Sequence, residues 1–344
     1  MTTPATTPAT TPATAPAPGP VAILGTGRCL PDRVVTNTEV AAPAGVDDTW
    51  IVRKTAIRER RWAEPGQATS DLATAAARQA LDAAGITPGQ LSVIVVATST
   101  PDQQQPATAA YVHRNLGAPT TGVAVFDLNA VCAGFVYALD VVHAMVARCG
   151  GYGLVIGADV YSRILNPADC RSAVLFGDGA GAAVIGPARH GHGIRTSMFH
   201  FYSDMTGLIE VPAGGSRRPY DPATHDAGLH YFTMDGRTAR EFAGATVPGL
   251  VKQFLHDSEV LPADIAHVVP HQPNGVMLDE LAAALDLPNA VLHRTVGQYG
   301  NTGAASIAVT LDQAARTGAL HRGDQVLLVG MGGGVSIGLT LLQW

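Results

Sequence analysis

Hydrophobic and polar positions follow one another along this chain in blocks that predict strands and helices in turn. Leu91–Ala97 (LSVIVVA) is apolar almost throughout, as in a strand buried on both faces. Ser70–Ala84 is rich in Ala and Leu, begins at an N-capping Ser and stops before Gly85, which predicts a helix. Similar blocks predict strands over Val21–Gly25, Gly122–Asp127 and Gly153–Gly157 and helices over Pro106–Leu116 and Cys132–Arg148. This order indicates an α/β fold with mostly parallel strands.

A second series of elements follows the glycine-rich turn at Gly186–Gly193. Helices are predicted over Ala239–His256, Gly275–Leu285 and Ser306–Ala315, and strands over Ile265–Val269 and Gln325–Val329. Because the two series have about the same length and order, we expect an internal duplication, with residues 20–190 and 191–344 as its halves. A cleft between the halves is the natural place for a catalytic site.

Two segments of the chain need a separate interpretation. Residues 1–19 repeat Thr, Pro and Ala without a basic or apolar region, which predicts a disordered, dispensable tail and no secretion signal. Val326–Leu342 is the longest uncharged apolar stretch, but its five glycines favour strand, loop and strand over a membrane span. We therefore expect no membrane association.

Composition narrows the range of partners. Hydrophobic residues make up 47% of the 344 and charged residues 15%, which indicates a large core, little charged surface and an oligomer. The net charge of −6, without a long run of Lys or Arg, argues against binding nucleic acid. The four cysteines form no C-x-x-C pair, so neither a disulfide framework nor a thiolate metal site is predicted, and a cytoplasmic location fits best.

Cys132 stands where a predicted strand ends and a long apolar helix begins. Unpaired N–H groups at a helix N-terminus favour the thiolate, so this position suits a nucleophile, although a small buried core cysteine is the ordinary alternative. His271 follows the strand that ends at Pro270, and Asn301 lies 30 residues further on in a glycine-flanked loop. Both fall at carboxyl ends of strands, where α/β proteins build their sites, although ordinary hydrogen-bonding roles are the alternative.

Six segments resemble those of β-ketoacyl-acyl-carrier-protein synthase III enzymes (ketosynthase III). The segment around Cys132, from Asp127 to Leu139, resembles their nucleophile segment. The others are similar to family motifs in the family's order, and together they cover the chain from about Val21 to the C-terminus. They are residues 48–60 (DTWIVRKTAIRER), 176–182 (FGDGAGA), 271–274 (HQPN), 299–306 (YGNTGAAS) and 330–334 (GMGGG).

This resemblance implies a fold and a reaction. The fold is the five-layered αβαβα thiolase fold, the protein is expected to be a homodimer, and no metal or cofactor is implied. Cys132 accepts an acyl group from an acyl-CoA, and His271 and Asn301 bind the thioester carbonyl of a malonyl extender carried by acyl carrier protein. The enolate formed by loss of carbon dioxide attacks the acyl-cysteine. Backbone N–H groups of Cys132 and Gly333 form the oxyanion hole for the acyl carbonyl.

The resemblance also assigns residues around the substrates. Trp50, with an ordinary core packing role as its alternative, is expected to stack on the adenine of CoA. Lys54 keeps a positive charge nearby, and Arg171 is expected on the opposite side of the adenine, although a loop one residue shorter than in relatives could place Cys170 there instead. Gln105 is expected to reach across the dimer to the floor of the acyl pocket, and Met331 to line that pocket. Because relatives usually carry bulky apolar residues at these two positions, we expect an unusual starter unit, larger or partly polar.

The chain departs from the family where relatives carry basic residues that dock the acidic carrier protein. Val276 and Glu241 stand at these positions, with Arg240 beside the second.

Three hypotheses for the function follow. The first is decarboxylative condensation that primes fatty-acid or polyketide synthesis, and the second is transfer of the acyl group to a hydroxyl, amine or carrier thiol without a new C–C bond. The third, a non-catalytic partner subunit, is disfavoured because the nucleophile is retained.

Overall fold

Two five-stranded sheets organise the chain, and helices cover both faces of each sheet. The computed structural model describes residues 19–188 and 191–344. The predicted tail, apart from Gly19, lies outside the described residues, as does the pair 189–190 beside the predicted boundary between the halves.

The elements up to residue 188 build the first sheet and its helices. The strands are β1 (Val21–Cys29), β2 (Val34–Thr36), β3 (Glu59–Arg61), β4 (Leu91–Ala97), β5 (Ala124–Leu128), β6 (Tyr152–Asp159) and β7 (Gly179–Pro187). The helices are α1 (Asn37–Ala41), α2 (Asp48–Thr55), α3 (Thr69–Ala84), α4 (Thr108–Leu116) and α5 (Gly134–Cys149).

The elements after residue 190 build the second sheet and its helices. The strands are β8 (Gly193–Phe201), β9 (Ile209–Glu210), β10 (Thr233–Met234), β11 (Ile265–Pro270), β12 (Val291–Leu292), β13 (Gln325–Gly332) and β14 (Ser336–Gln343). The helices are α6 (Pro222–Asp226), α7 (Gly236–Asp257), α8 (Gly275–Ala284), α9 (Val296–Tyr299) and α10 (Ala305–Arg316).

The two sheets have the same topology. The first has the strand order β1-β7-β6-β4-β5, and the second, taken from its other edge, has the order β8-β14-β13-β11-β12. Each strand of one sheet therefore has a counterpart in the other at the same place in chain order. By the same correspondence α5, which follows Cys132, is the counterpart of α10, which follows Asn301.

The prediction of mostly parallel strands is wrong. In the first sheet β4 runs parallel to β5 and β6, whereas β7 runs antiparallel to β6 and β1. The second sheet repeats this mixture. Helices connect β4, β5 and β6, as parallel strands require, but no α-helix separates β6 from β7 or β13 from β14, so those strands return antiparallel.

Helices and sheets alternate in five layers, which confirms the predicted thiolase architecture. One apolar cluster joins α3 and α4 to the outer face of the first sheet, and another joins α7 and α8 to the outer face of the second. A third cluster lies between the sheets and contains α5 and α10. Among the described residues, Val131–Cys149 is long and apolar enough to span a membrane, but it forms part of this middle layer, where Phe135 and Leu139 are fully buried.

Candidate active site

A cavity of about 130 Å³ brings together the three residues expected to carry the chemistry. Cys132, His271 and Asn301 all contribute to its wall, together with apolar side chains such as Phe176, Phe232, Met277 and Met331. Cys132 precedes α5, Asn301 precedes α10, and His271 directly follows β11. Because α5 and α10 are counterparts in the middle layer, the duplication itself brings the thiol and the amide to one place.

Cys132 lies in a strained turn rather than in the helix predicted to begin there. Residues 131–133 form a single 3₁₀ turn, and α5 begins at Gly134. Val131 has a φ of 49°, a conformation rarely adopted by a β-branched residue, and its N–H donates to Oδ1 of Asn129 at 3.0 Å. Such strain persists only where the surrounding structure enforces it, and it is concentrated at functional sites.

The environment of Cys132 does not favour the thiolate, contrary to the expectation from its place before a helix. The side chain is buried, and burial raises the pKa of the thiol well above its ordinary value, with the nearby Asp159 carboxylate adding to the effect. The Tyr161 hydroxyl lowers the pKa of the thiol, against these two effects. Burial of Cys132 therefore opposes formation of the thiolate that the helix N-terminus was expected to favour.

His271 is a neutral imidazole with a defined orientation. Burial lowers its pKa to about 3. Its Nδ1 lies 2.8 Å from Oγ of Ser306, and the same oxygen accepts a 3.4 Å hydrogen bond from the N–H of Gln272. Ser306 can then donate its hydroxyl proton to Nδ1, an arrangement that leaves the ring proton on Nε2. His271 is thus suited to donate a hydrogen bond into the cavity.

Asn301 is fixed by contacts between the two halves. Its N–H donates to the carbonyl of Leu175 at 2.8 Å, and its own carbonyl accepts from the N–H of Gly177 at 3.0 Å. Its side-chain Oδ1 accepts from the N–H of Gly303 at 3.0 Å. Because the amide oxygen is engaged in this way, Nδ2 is the end of the side chain that can donate to a substrate.

The glycine run between β13 and β14 allows the backbone to approach the cysteine turn. A Cβ atom on Gly332 would lie 2.5 Å from the carbonyl oxygen of Ala130 and 3.3 Å from the backbone nitrogen of Cys132. The first of these distances leaves no room for any side chain. Gly333 follows in the cavity wall beside Ile209.

Comparison with known proteins decides the family. The family described as 3-oxoacyl-[acyl-carrier-protein] synthase III matches residues 126–205, and the corresponding C-terminal family matches residues 255–344. An acetoacetyl-CoA synthase from Streptomyces sp. strain CL190 is 60% identical over 324 residues, which cover 94% of this chain and 98% of that protein. The chain belongs to the ketosynthase III family. A β-ketoacyl-[acyl-carrier-protein] synthase III from Caldanaerobacter subterraneus is 40% identical, with 94% and 97% of the two chains covered.

Solved structures agree with this assignment. The priming β-ketosynthase of a polyketide biosynthetic pathway matches with a TM-score of 0.89 and 31% identity, covering 96% of this chain and 98% of that one. The 3-oxoacyl-[acyl-carrier-protein] synthase III of Aquifex aeolicus matches with a TM-score of 0.85 and 33% identity, covering 94% and 100%. The chain is a ketosynthase III condensing enzyme, and the predicted family, fold and reaction type are confirmed.

The ketosynthase III residues expected to bind CoA lie outside the cavity wall. Trp50 is half-buried on α2, where it packs against an apolar cluster, and Lys54 is exposed in the last turn of that helix. Arg171 is 75% exposed, and its Nε lies 3.1 Å from Oδ1 of Asp169. All three are accessible to a ligand, and their roles stay predictions.

The two acyl-pocket residues are placed differently from each other. Met331 contributes to the cavity wall, whereas Gln105 is exposed in the loop after β4 and does not belong to the wall formed by this single chain. The larger or partly polar starter inferred from these residues stays a prediction. A cavity of about 130 Å³ lies well below the ordinary range of about 300–1,000 Å³ for ligand pockets, which favours a short acyl group.

Four polar residues of this ketosynthase III site were assigned no role in the sequence analysis. They are Ser99, Asp159, Tyr161 and Ser306. Asp159 carried a usable signal, because it ends a strand that is otherwise apolar, but the predicted strand stopped at Gly157.

Among the described residues, no group of three or more His, Cys, Asp or Glu side chains is placed to hold a metal ion.

Proposed function

We propose that this ketosynthase III condenses an acyl group carried on Cys132 with a malonyl thioester, and that the extender is a CoA thioester. One observation supports the condensation of the two acyl groups: Cys132, His271 and Asn301 line the same cavity. The sulfur attacks the thioester carbonyl of acyl-CoA, and CoA leaves. The backbone N–H groups of Cys132 and Gly333 stabilise the charge that develops on the acyl oxygen.

In the second half-reaction, His271 and Asn301 bind the carbonyl oxygen of the malonyl thioester. The neutral imidazole donates through Nε2 and the amide through Nδ2, so two donors stabilise the enolate oxygen as carbon dioxide leaves. The α-carbon of the enolate attacks the acyl carbonyl, the bond to Sγ breaks, and a β-ketoacyl thioester is released with Cys132 as thiolate. All bonding changes are carried by the substrates and these side chains, without a cofactor.

Two observations support CoA, rather than acyl carrier protein, as the carrier of the extender. The relative with 60% identity is named an acetoacetyl-CoA synthase, so its product is a CoA thioester. In this chain Glu241 is exposed on α7, and the neighbouring Arg240 is paired with Glu280 of α8 through its Nε at 2.8 Å. This surface therefore offers an acidic carrier protein little positive charge. Acetyl as starter and acetoacetyl-CoA as product fit the small cavity, and we propose acetyl in place of the larger starter expected from Gln105 and Met331.

The remaining assignments belong to the same proposal. Trp50, Lys54 and Arg171 bind the adenine and phosphates of CoA, and Gln105 reaches the acyl pocket of a partner subunit. A homodimer is supported by β5, whose outer edge has no neighbouring strand within the described part of the chain and whose residues Val125, Phe126 and Leu128 are only half-buried. We propose a cytoplasmic location, because both substrates are intracellular thioesters.

Intact-protein mass spectrometry tests this function. Wild type and Cys132→Ala are incubated with acetyl-, butyryl- and longer acyl-CoAs, and malonyl-CoA or malonyl carrier protein is then added. We expect an acetyl adduct on wild type alone, discharged by malonyl-CoA as acetoacetyl-CoA with loss of carbon dioxide. Discharge by malonyl carrier protein alone would overturn the choice of extender. An adduct that neither malonyl thioester removes would replace condensation with acyl transfer to another acceptor.

A further inference from the structure

A second cavity, of about 290 Å³, lies at the edge of the first sheet and is separate from the catalytic cavity. Its wall consists of Arg28, Leu30, Arg61, Gln79, Tyr299 and Arg316. None of these residues belongs to the wall of the catalytic cavity. Arg28 lies on β1, which is the edge strand opposite β5 in the first sheet. A subunit contact along β5 therefore leaves this cavity accessible.

The polar groups of this wall offer hydrogen-bond donors. Three of the six side chains are guanidinium groups, which donate hydrogen bonds and accept none. The side-chain oxygen Oε1 of Gln79 already accepts from Nη2 of Arg316 at 3.0 Å, so Nε2 is the end that can donate to a ligand. Tyr299 adds a hydroxyl group that can also donate, and no carboxylate is among the described residues that line the cavity. A wall of this composition suits an oxyanion rather than a cation or an apolar ligand.

Two of the arginines have N–H groups without an acceptor. Nη1 of Arg28 is buried and lies 3.5 Å from Oδ2 of Asp312, but it makes no hydrogen bond within the described residues. Nε of Arg61 is buried and likewise lacks an acceptor in that part of the chain, and Nη2 of the same residue lies 3.7 Å from Oε1 of Glu59, beyond hydrogen-bonding distance. Unpaired buried donors are costly, most of all on charged groups, and a bound anion would supply the missing acceptors. Both arginine side chains are 26% exposed, so a ligand from solvent can reach them.

Positive charge around the cavity exceeds negative charge. The buried carboxylate of Asp312 accepts from Nε of Arg316 at 2.8 and 2.9 Å and from Oγ1 of Thr26 at 2.9 Å. Arg28 forms an ion pair with the same carboxylate at 3.5 Å. One carboxylate thus faces two guanidinium groups, although the chain as a whole carries a net charge of −6. This local excess of positive charge attracts anions.

We propose that this cavity is an oxyanion site that binds a phosphate group, either as inorganic phosphate or on a small metabolite. The guanidinium groups of Arg28 and Arg61 make charge-assisted hydrogen bonds to the phosphate oxygens, and Nε2 of Gln79 and the Tyr299 hydroxyl complete the donor set. A volume of about 290 Å³ lies at the lower limit of the range of about 300–1,000 Å³ for ligand pockets, which suits a phosphate on a single sugar. The proposal goes beyond the proposed reaction and does not depend on Cys132.

Titration calorimetry with sodium phosphate and with ribose 5-phosphate, at constant ionic strength, tests the site. We expect wild type to bind at least one of them with a Kd of about 1 mM or lower. Gln79→Glu places a carboxylate in the wall and keeps the oxygen that accepts from Arg316, so the affinity should fall about 10-fold or more through repulsion. Gln90→Glu makes the same change at an exposed position outside the cavity and should stay within about 2-fold of wild type.

A second pair of variants removes positive charge from the cavity or from a competing site. Arg28→Gln combined with Arg61→Gln deletes two charged donors, each of which should weaken binding about 10-fold, to about 100-fold in total. Lys54→Gln combined with Arg171→Gln removes the same charge from residues proposed to bind CoA and should leave the affinity within about 2-fold of wild type. Circular dichroism verifies that each variant is folded.

The possible outcomes of these titrations separate the ligands and the sites. Tighter binding of ribose 5-phosphate than of phosphate would support a metabolite as the ligand, and equal affinities would support the free ion. Wild-type affinity in Gln79→Glu, or loss of binding only in the variant of Lys54 and Arg171, would overturn the site. Absence of binding to wild type at about 10 mM of either compound would also overturn it. Because the titration involves no acyl transfer, its result stands whether or not Cys132 carries out condensation.

Discussion

The backbone N–H of Ala304 donates a 2.7 Å hydrogen bond to Oδ2 of Asp159, joining the Asn301 loop of the second half to the strand end beside Cys132 in the first. A second connection runs from the N–H of Gly177 to the carbonyl of Asn301. Asp159 and Asn301 are both buried. These hydrogen bonds between the halves therefore fix the distance between the Cys132 thiol and the Asn301 amide, which neither half sets alone.

The substitution Asp159→Asn should destabilise the fold strongly. The carboxylate accepts from two backbone N–H groups and from the hydroxyls of residues 98, 99 and 100, whereas an amide would turn an N–H group towards some of these donors. Leaving buried donors unpaired costs about 1–3 kcal/mol each. We expect the free energy of unfolding in urea to fall by about 3 kcal/mol, against less than about 0.5 kcal/mol for Asp264→Asn on the surface. Equal losses of unfolding free energy in the two variants would show that these hydrogen bonds of Asp159 do not stabilise the fold.

Replacement of Ser306 by Ala should slow condensation but not acylation. Ser306 fixes the His271 ring through Nδ1, and the ring acts only on the malonyl thioester in the proposed mechanism. We expect discharge of the preformed acyl-enzyme by malonyl-CoA to slow about 10- to 100-fold. Ser197→Ala, which removes a hydroxyl pair at the outer edge of the second sheet, is the control. If acylation slows equally, Ser306 supports the whole site and not the imidazole alone.

Much of the fold and the three principal site residues could be predicted from sequence. The apolar blocks predicted both ends of β4, and they predicted β11 and β13 with C-terminal ends one and three residues short, because buried strands have few polar positions. Cys132, His271 and Asn301 were identified because each ends or follows such a block within a recognisable motif. Local pattern and family resemblance pointed to the same residues.

What the sequence could not predict depends on contacts between distant segments. The strand β7 was missed because its sequence (GAGAAVIGP) is mostly Gly and Ala, which are poor strand formers in isolation. The raised pKa of the Cys132 thiol was missed because it depends on burial and on Asp159, which is 27 positions away. Ser99 and Tyr161 come from separate strand ends, and nothing in their local sequence shows that they meet.

The substitution Gly332→Ala should inactivate the enzyme while leaving it folded. The new Cβ would lie 2.5 Å from the carbonyl oxygen of Ala130, so the turn that carries Cys132 must shift. Displacement of the reacting sulfur should lower the rate of acylation about 100-fold. Gly249→Ala, on an exposed helical position with nothing within 4 Å of its Cβ, should retain full activity. Circular dichroism verifies folding, and near-normal acylation by Gly332→Ala would show that the turn tolerates the shift.

Restoring basic residues on the docking surface should create activity with malonyl carrier protein. Glu241→Lys combined with Val276→Arg adds positive charge at the positions where relatives carry it. We expect kcat/KM with malonyl carrier protein to rise about 10-fold or more at low ionic strength and to lose this gain at high salt, because long-range steering is screened. Asp264→Lys combined with Ala263→Arg, at the opposite end of β11 from His271, adds the same three positive charges and controls for net charge. A similar rise in that variant would refute a specific docking surface.

The pKa of His271 predicts how stability depends on pH. The imidazole has a pKa of about 3 in the folded protein, against an ordinary value of 6.5. Between these values the unfolded chain binds the proton and the folded protein does not, so this residue makes stability fall as pH is lowered from about 7 towards 3. At pH 5 the contribution amounts to about 2 kcal/mol.

Urea unfolding of wild type and His271→Asn at pH 7 and pH 5 isolates this contribution. Asparagine does not titrate, and the packing defect that it introduces is the same at both pH values, so it cancels in the difference. We expect wild type to lose about 2 kcal/mol more than the variant between pH 7 and pH 5. Equal losses would mean that the folded protein accommodates imidazolium at this position. In that case His271 would not be restricted to the neutral form that the proposed mechanism needs for donation through Nε2.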